Sequence, residues 1–186
     1  MVKFVDDDDF VVEDILVKTT KKIKSKNKGN RSELQIVHIL NNRFQKFLDL
    51  NPKIGKFSRS VGSGNRWGQN VVLSENAKVI FSGDLCCPEG FKFVLESKSG
   101  YSDIDLISAF EGNCKGLDEF LKQALNDAER VNKKPILIWK KDRKCRIASL
   151  LSESLNNFNF KNYMIYKKWT IISLEELLKL PDEFFF

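Results

Sequence analysis

Apolar residues recur at helical spacing in two stretches of the chain and at strand spacing in several shorter ones. Leu34, Val37, Leu40, Phe44, Phe47 and Leu48 share one face and predict a helix over about 32–48, entered at Gly29-Asn30 and stopped at Asn51-Pro52. Leu117, Phe120, Leu121, Ala124, Leu125 and Ala128 predict a second helix over 117–131, with Lys122, Gln123, Asp127 and Arg130 off its stripe. Residues 91–98 alternate as a strand: Phe91, Phe93, Leu95 and Ser97 on one face, Lys92, Val94, Glu96 and Lys98 on the other. Further strands are expected at 56–61, 71–73, 78–81, 146–151 and 163–172, and the unbroken apolar run 136–139 suits a sheet interior. Ser173-Leu174-Glu175-Glu176 is a capping box that opens a short helix, closed by Pro181. A helix linking two apolar strands predicts an α/β domain with a mixed central sheet.

Charge changes this picture at the N-terminus. Asp6 to Asp9, Glu13 and Asp14 are followed by Lys18, Lys21, Lys22, Lys24, Lys26, Lys28 and Arg31 with no acid between them. Residues 1–28 are therefore expected to be a flexible arm, either a solvated tail or a strip that lies along phosphates. The domain proper is expected over 29–181, with an acidic-aromatic tail, Asp182 to Phe186, behind it. We take its three phenylalanines as core, since aromatic burial dominates such energetics. The alternative is an exposed peptide that docks a replication or single-stranded-DNA-binding partner. No apolar run is long enough for a membrane span, and the four cysteines fit neither a zinc pattern nor a disulfide framework. A soluble protein with free thiols in a reducing cytoplasm is the expectation.

The chemistry concentrates at 84–98. Glu96 and Lys98 project from one side of a strand, and the Ser82-Gly83 turn brings up Asp84. Two carboxylates can hold a hard divalent cation, and a neighbouring lysine can orient water or meet developing negative charge. The bland alternative is an ion-pair cluster at a sheet end. Glu33, in the first turn of the first helix, either favours the positive helix end or faces inwards towards a metal. The glycine-rich loop at 62–68 is either a hairpin turn or a place where backbone approaches a phosphate.

Asp84 followed by Glu96-Ser97-Lys98 resembles the D…(D/E)xK signature of the PD-(D/E)XK nuclease superfamily, with Gly83 where proline is usual. Lys28-Gly29-Asn30-Arg31-Ser32-Glu33 resembles the K-G-x-x-x-E opening of archaeal-type and phage Holliday junction resolvases. Arg59-Ser60-Val61-Gly62-Ser63-Gly64 resembles their R-x-x-G-S-G loop. The helix bearing Gln123, then Lys134-Pro135-Ile136-Leu137-Ile138, resembles the superfamily's helix and strand behind the ExK. The likeness covers about 28–140 and leaves 141–186 without a role.

The resemblance implies a restriction-endonuclease-like core with helices flanking a mixed sheet. It implies Glu33, Asp84 and Glu96, with the Ser97 carbonyl, around Mg²⁺ (Mn²⁺ as a substitute). Lys98 would act on the water or the phosphorane-like charge, Ser63 would lie near the scissile phosphate, and Gln123 would complete the site. Lys22, Lys24, Lys26, Lys28, Arg31, Arg59 and Arg66 would meet DNA. The implied activity is a structure-selective endonuclease that resolves four-way junctions as a homodimer, because a junction presents two strands to cut. Another nuclease of the superfamily, a repair exonuclease or flap nuclease, shares the same residues. A nucleic-acid-binding module with a dead core is the remaining alternative.

Overall fold

A computed structural model describes residues 25–60, 82–101, 104–141 and 143–186. The expected strands at 71–73 and 78–81 lie outside these residues. Helix α1, Ser25–Arg43, begins inside the segment expected to be an arm. Gly29 and Asn30 lie within it rather than at its entry. Residues 25–31 carry no apolar stripe, so periodicity starts only where the helix meets the sheet. The buried face is Ile36, Leu40 and Phe44, continued by Leu48, whereas Leu34 is 55% exposed. The helix breaks at Phe44, and α2 follows at Gln45–Leu50.

Strands β1, Ser58–Arg59, and β2, Leu85–Cys86, pair antiparallel. Beside them stands a five-stranded sheet. Its strands are β3 (Phe93–Ser99), β4 (Lys134–Lys140), β5 (Arg146–Leu151), β6 (Tyr163–Tyr166) and β7 (Trp169–Ser173), in the order β3-β4-β5-β7-β6. The short helix α3, Ile107–Phe110, and the long α4, Lys115–Glu129, cross over between β3 and β4, which makes that pair parallel. The other pairs are antiparallel. This mixed sheet with helices on both faces is a restriction-endonuclease-like α/β fold.

Strand β4 explains the two cores. Ile136 and Ile138 pack beneath α1 with Phe91, Phe93, Leu95, Ala148 and Leu150. Leu137 and Trp139 pack beneath α4 with Leu117, Leu121, Ala124 and Ile171. A strand covered on both faces has no polar side to show, hence its unbroken apolar run.

The single strand expected over 163–172 is a hairpin instead. β6 and β7 turn at Lys167-Lys168, with Lys167 at φ 53°. Lysine at a left-handed position is a poor turn signal, so the chain offers no glycine or asparagine to mark it. Helix α5, Leu174–Leu177, starts as the capping box predicts, with Ser173 Oγ accepting from Glu176 N.

The last residues form a turn of helix, α6, Asp182–Phe185. Phe185 is 1% exposed and packs against Phe44 at 5.0 Å, so the tail is core, not an exposed docking peptide. Phe184 and Phe186 are half-buried against the same cluster. Arg43 clamps this segment from α1, donating to Asp182 Oδ1 and to the Leu180 carbonyl, each at 2.8 Å. Among the described residues no helix is long and apolar enough to cross a membrane.

Candidate active site

Asp84 is held by three hydrogen bonds that tie it between β1 and β3. Its amide donates to the Leu95 carbonyl at 3.0 Å, and its carbonyl accepts from Ser60 N at 3.0 Å. Its Oδ2 accepts from Ser97 N at 2.9 Å, which aims the carboxylate at the middle of β3. Gly83 makes this approach sterically feasible. It sits at φ 76°, and a Cβ there would lie 2.6 Å from the Leu95 carbonyl oxygen and 2.8 Å from Val94 Cγ1. Glycine at the usual proline position is thus what this backbone needs.

Glu96 lies on the α4 side of β3 and is 1% exposed. Its Oε1 accepts from Lys98 Nζ at 2.6 Å and from Gln123 Nε2 at 2.6 Å. Lys98 Nζ also donates to Gln123 Oε1 at 2.9 Å, which closes a triangle of three side chains. The strand period places Glu96 and Lys98 side by side, and Gln123 reaches them from α4, whose Leu117–Ala124 stripe is packed on β4. Burial, and then the Asp84 charge, push the Glu96 carboxyl up to about 8 against the pull of Lys98. Burial disfavours the Lys98 ammonium, but Glu96, Asp84 and Tyr101 outweigh it and raise its pKa. The cluster therefore holds its protons tightly.

Glu33 is brought close to Arg59 instead. Its Oε2 accepts from Arg59 Nε at 2.6 Å, and Asn30 Oδ1 accepts from Arg59 Nη2 at 3.0 Å. Arg59 precedes Ser60, whose amide holds Asp84, so this pair braces the neighbouring strand. Arg31 is exposed on α1. Ser63, Arg66, Lys22 and Lys24 lie outside the described residues, as do the side chains of Lys26 and Lys28.

Sequence reasoning passed over Asp127. It lies one turn beyond Gln123 on α4 and is half-buried, with Arg130 Nη1 2.9 Å from its Oδ1. Burial raises its pKa, Arg130 opposes this, and Asp84 adds to it, so the residue feels the site electrostatically. The signal was available in the four-residue spacing from Gln123.

Among the described residues no group of three histidine, cysteine or acidic side chains forms a ready metal cage. The oxygen-only pair Asp84 and Glu96 nevertheless suits Mg²⁺, which is commonly bound by one or two carboxylates with substrate phosphate and water completing its shell. A buried carboxylate beside a like charge is also a site that a cation relieves.

An acidic residue on a tight turn and an ExK tripeptide on the neighbouring strand, in a mixed sheet backed by helices, define a PD-(D/E)XK nuclease core. The family model described as "Phage putative PDDEXK endonuclease" matches residues 24–182, and the chain belongs to that family. No curated protein and no solved structure matches it.

Proposed function

We propose that this endonuclease is Mg²⁺-dependent and structure-selective, cutting four-way DNA junctions as a homodimeric resolvase in the cytoplasm. The observation that carries the catalytic reading is the closed Glu96–Lys98–Gln123 triangle beside Asp84. Asp84, Glu96 and the Ser97 carbonyl would hold the cation, which when bound would supply positive charge at the phosphate oxygens and lower the pKa of a bound water. Lys98 is kept charged and fixed in direction by Gln123, so it can orient that water or meet the phosphorane-like charge. The basic residues from Lys22 to Arg31 supply positive charge for phosphate contacts, supported by the acid-free run of lysines in the sequence. Junction preference is supported by the order of the K-G-x-x-x-E and R-x-x-G-S-G elements ahead of Asp84.

Labelled four-way junction, flap, nicked, linear and single-stranded DNAs, incubated with Mg²⁺ or EDTA, test this reading. Symmetric junction cleavage that needs Mg²⁺ and disappears in Asp84→Asn, Glu96→Gln and Lys98→Ala is the expected result. Preferential cleavage of flaps or ends would assign another nuclease role, and no cleavage of any substrate would reject the enzyme.

A further inference from the structure

Beyond Lys98, strand β3 ends at Ser99 and the chain turns at Gly100. Both polar groups of Gly100 are fixed by β4: its amide donates to the Lys140 carbonyl at 2.9 Å, and its carbonyl accepts from the buried Trp139 Nε1 at 3.1 Å. The next residue, Tyr101, is thereby held at φ 56°, a left-handed conformation that bulky side chains rarely adopt. Strain of this kind persists only where the surroundings enforce it, and it gathers at ligand clamps.

The ring goes to a telling place. It meets Phe120 edge-on, with centroids 4.7 Å apart at 70°. The same Phe120 ring carries the Lys98 ammonium 5.6 Å from its centroid. Tyr101 and Lys98 are therefore neighbours on one buried aromatic support. Yet Tyr101 is 48% exposed, while Phe120 is 7% exposed. A tyrosine placed only to fill core needs neither the strained backbone nor the open ring. Other exposed aromatics, Phe110 and Tyr163, have no such link to Lys98.

We infer that Tyr101 is a stacking subsite for an unpaired or splayed-out nucleobase next to the scissile phosphate. The inference rests on the nuclease reading of Asp84, Glu96 and Lys98. Every base offers a π-face, so an aromatic ring fixed one support away from the phosphate-binding lysine orients the strand without reading its sequence. A subsite of this kind favours single-stranded or branched DNA over an intact duplex, whose bases are not free to stack on protein.

The test uses the full chain in EDTA with a short oligothymidylate carrying a fluorescent adenine analogue at successive positions. Wild type is expected to quench the probe at one position. Tyr101→Ala should lose that quench and bind about tenfold or more weakly, while Tyr101→Phe and Tyr101→Trp keep both. Tyr101→Gly should behave as Tyr101→Ala, and because glycine adopts this φ without strain its fold is expected to be retained. Unaltered quenching and affinity in Tyr101→Gly, or equal losses in Tyr101→Phe, would overturn the stacking role. If wild type still cuts DNA through Asp84 while the Tyr101 variants bind normally, this inference fails alone. If wild type cuts none of the DNAs with Mg²⁺, the nuclease reading falls and this inference falls with it.

Discussion

Gly83 lies so close to Leu95 that a single added carbon would overlap its carbonyl oxygen, 2.6 Å away. The contact fixes where Asp84 points, since Asp84 N donates to that same oxygen. Gly83→Ala must move this backbone and also hold φ 76°. We expect it to destabilise the domain by roughly 1–3 kcal/mol. Cleavage should fall by about 100-fold, in line with ångström-scale misplacement of a catalytic group. Calorimetry and single-turnover kinetics check the two effects separately. Wild-type turnover in Gly83→Ala would show that the turn does not set the Asp84 geometry.

Gln123 touches both members of the Glu96–Lys98 pair, at 2.6 and 2.9 Å, which is the geometry of a residue that orients Lys98. Removing it in Gln123→Ala leaves the Glu96–Lys98 ion pair but takes away one of the two bonds that orient the ammonium. The expected outcome is a drop in kcat of about 10- to 100-fold with KM little changed. A matching rise in KM instead would mean that Gln123 serves binding.

The raised Glu96 carboxyl makes a pH prediction. Its pKa is pushed up to about 8 in the folded chain, from an ordinary value of 4.5. The folded form therefore binds more protons than the unfolded form across that window. Its contribution to stability is fully present below about 4.5 and is lost as pH rises towards 8. In EDTA the unfolding free energy of wild type relative to Glu96→Gln, followed by denaturant or thermal melts, should fall between those limits by at most about 1.4 kcal/mol per pH unit. Mg²⁺ should raise the wild-type melting temperature most at the alkaline end, where it no longer competes with a proton. A pH-independent difference between the two proteins would contradict the assignment.

Helix α1 starts at Ser25, so a clean truncation of the basic arm removes residues 1–23 rather than the whole of 1–28. Lys18, Lys21 and Lys22 go with it. If all three meet phosphates, the salt slope of duplex binding should flatten by about 0.9 for each of them. Nitrocellulose or fluorescence titrations across a salt series measure this. An unchanged slope would make the arm a solvated tail.

Most of the site was legible because its residues are tied to short-range pattern. The period of two puts Glu96 beside Lys98, whereas Gln123, off the apolar stripe and exposed, could equally have faced water and was indicated only by the family resemblance. What escaped depends on long-range contact. The pairing of Glu33 with Arg59 spans two elements, and the sequence leaves Glu33 equally free to face a helix end or a cation. Ile36 was missed and Leu34 misplaced because helical spacing fixes a face only to within about one position. Residues 141–182, without a role in the motif comparison, supply three of the sheet's five strands and lie within the family match.

The C-terminal phenylalanines offer the sharpest stability test. Phe185 stacks with Phe91 at 6.1 Å and meets Phe44 edge-on at 5.0 Å, and the Phe185 carbonyl accepts from Lys92 N at 2.8 Å. The tail thus closes the α1-side core at the entry to β3, the strand that carries Glu96. Phe185→Ala should cost about 3–5 kcal/mol, as for other fully buried aromatic truncations. Phe184→Ala and Phe186→Ala, at half-buried positions, should cost less. Arg43→Lys should loosen the same segment, because an ammonium cannot span the carbonyls of Leu178 and Leu180 and the Asp182 carboxylate together. Cleavage should fall with the fraction folded and recover on cooling. An unchanged melting temperature in Phe185→Ala, accompanied by loss of a bound replication partner, would instead make the tail a docking peptide.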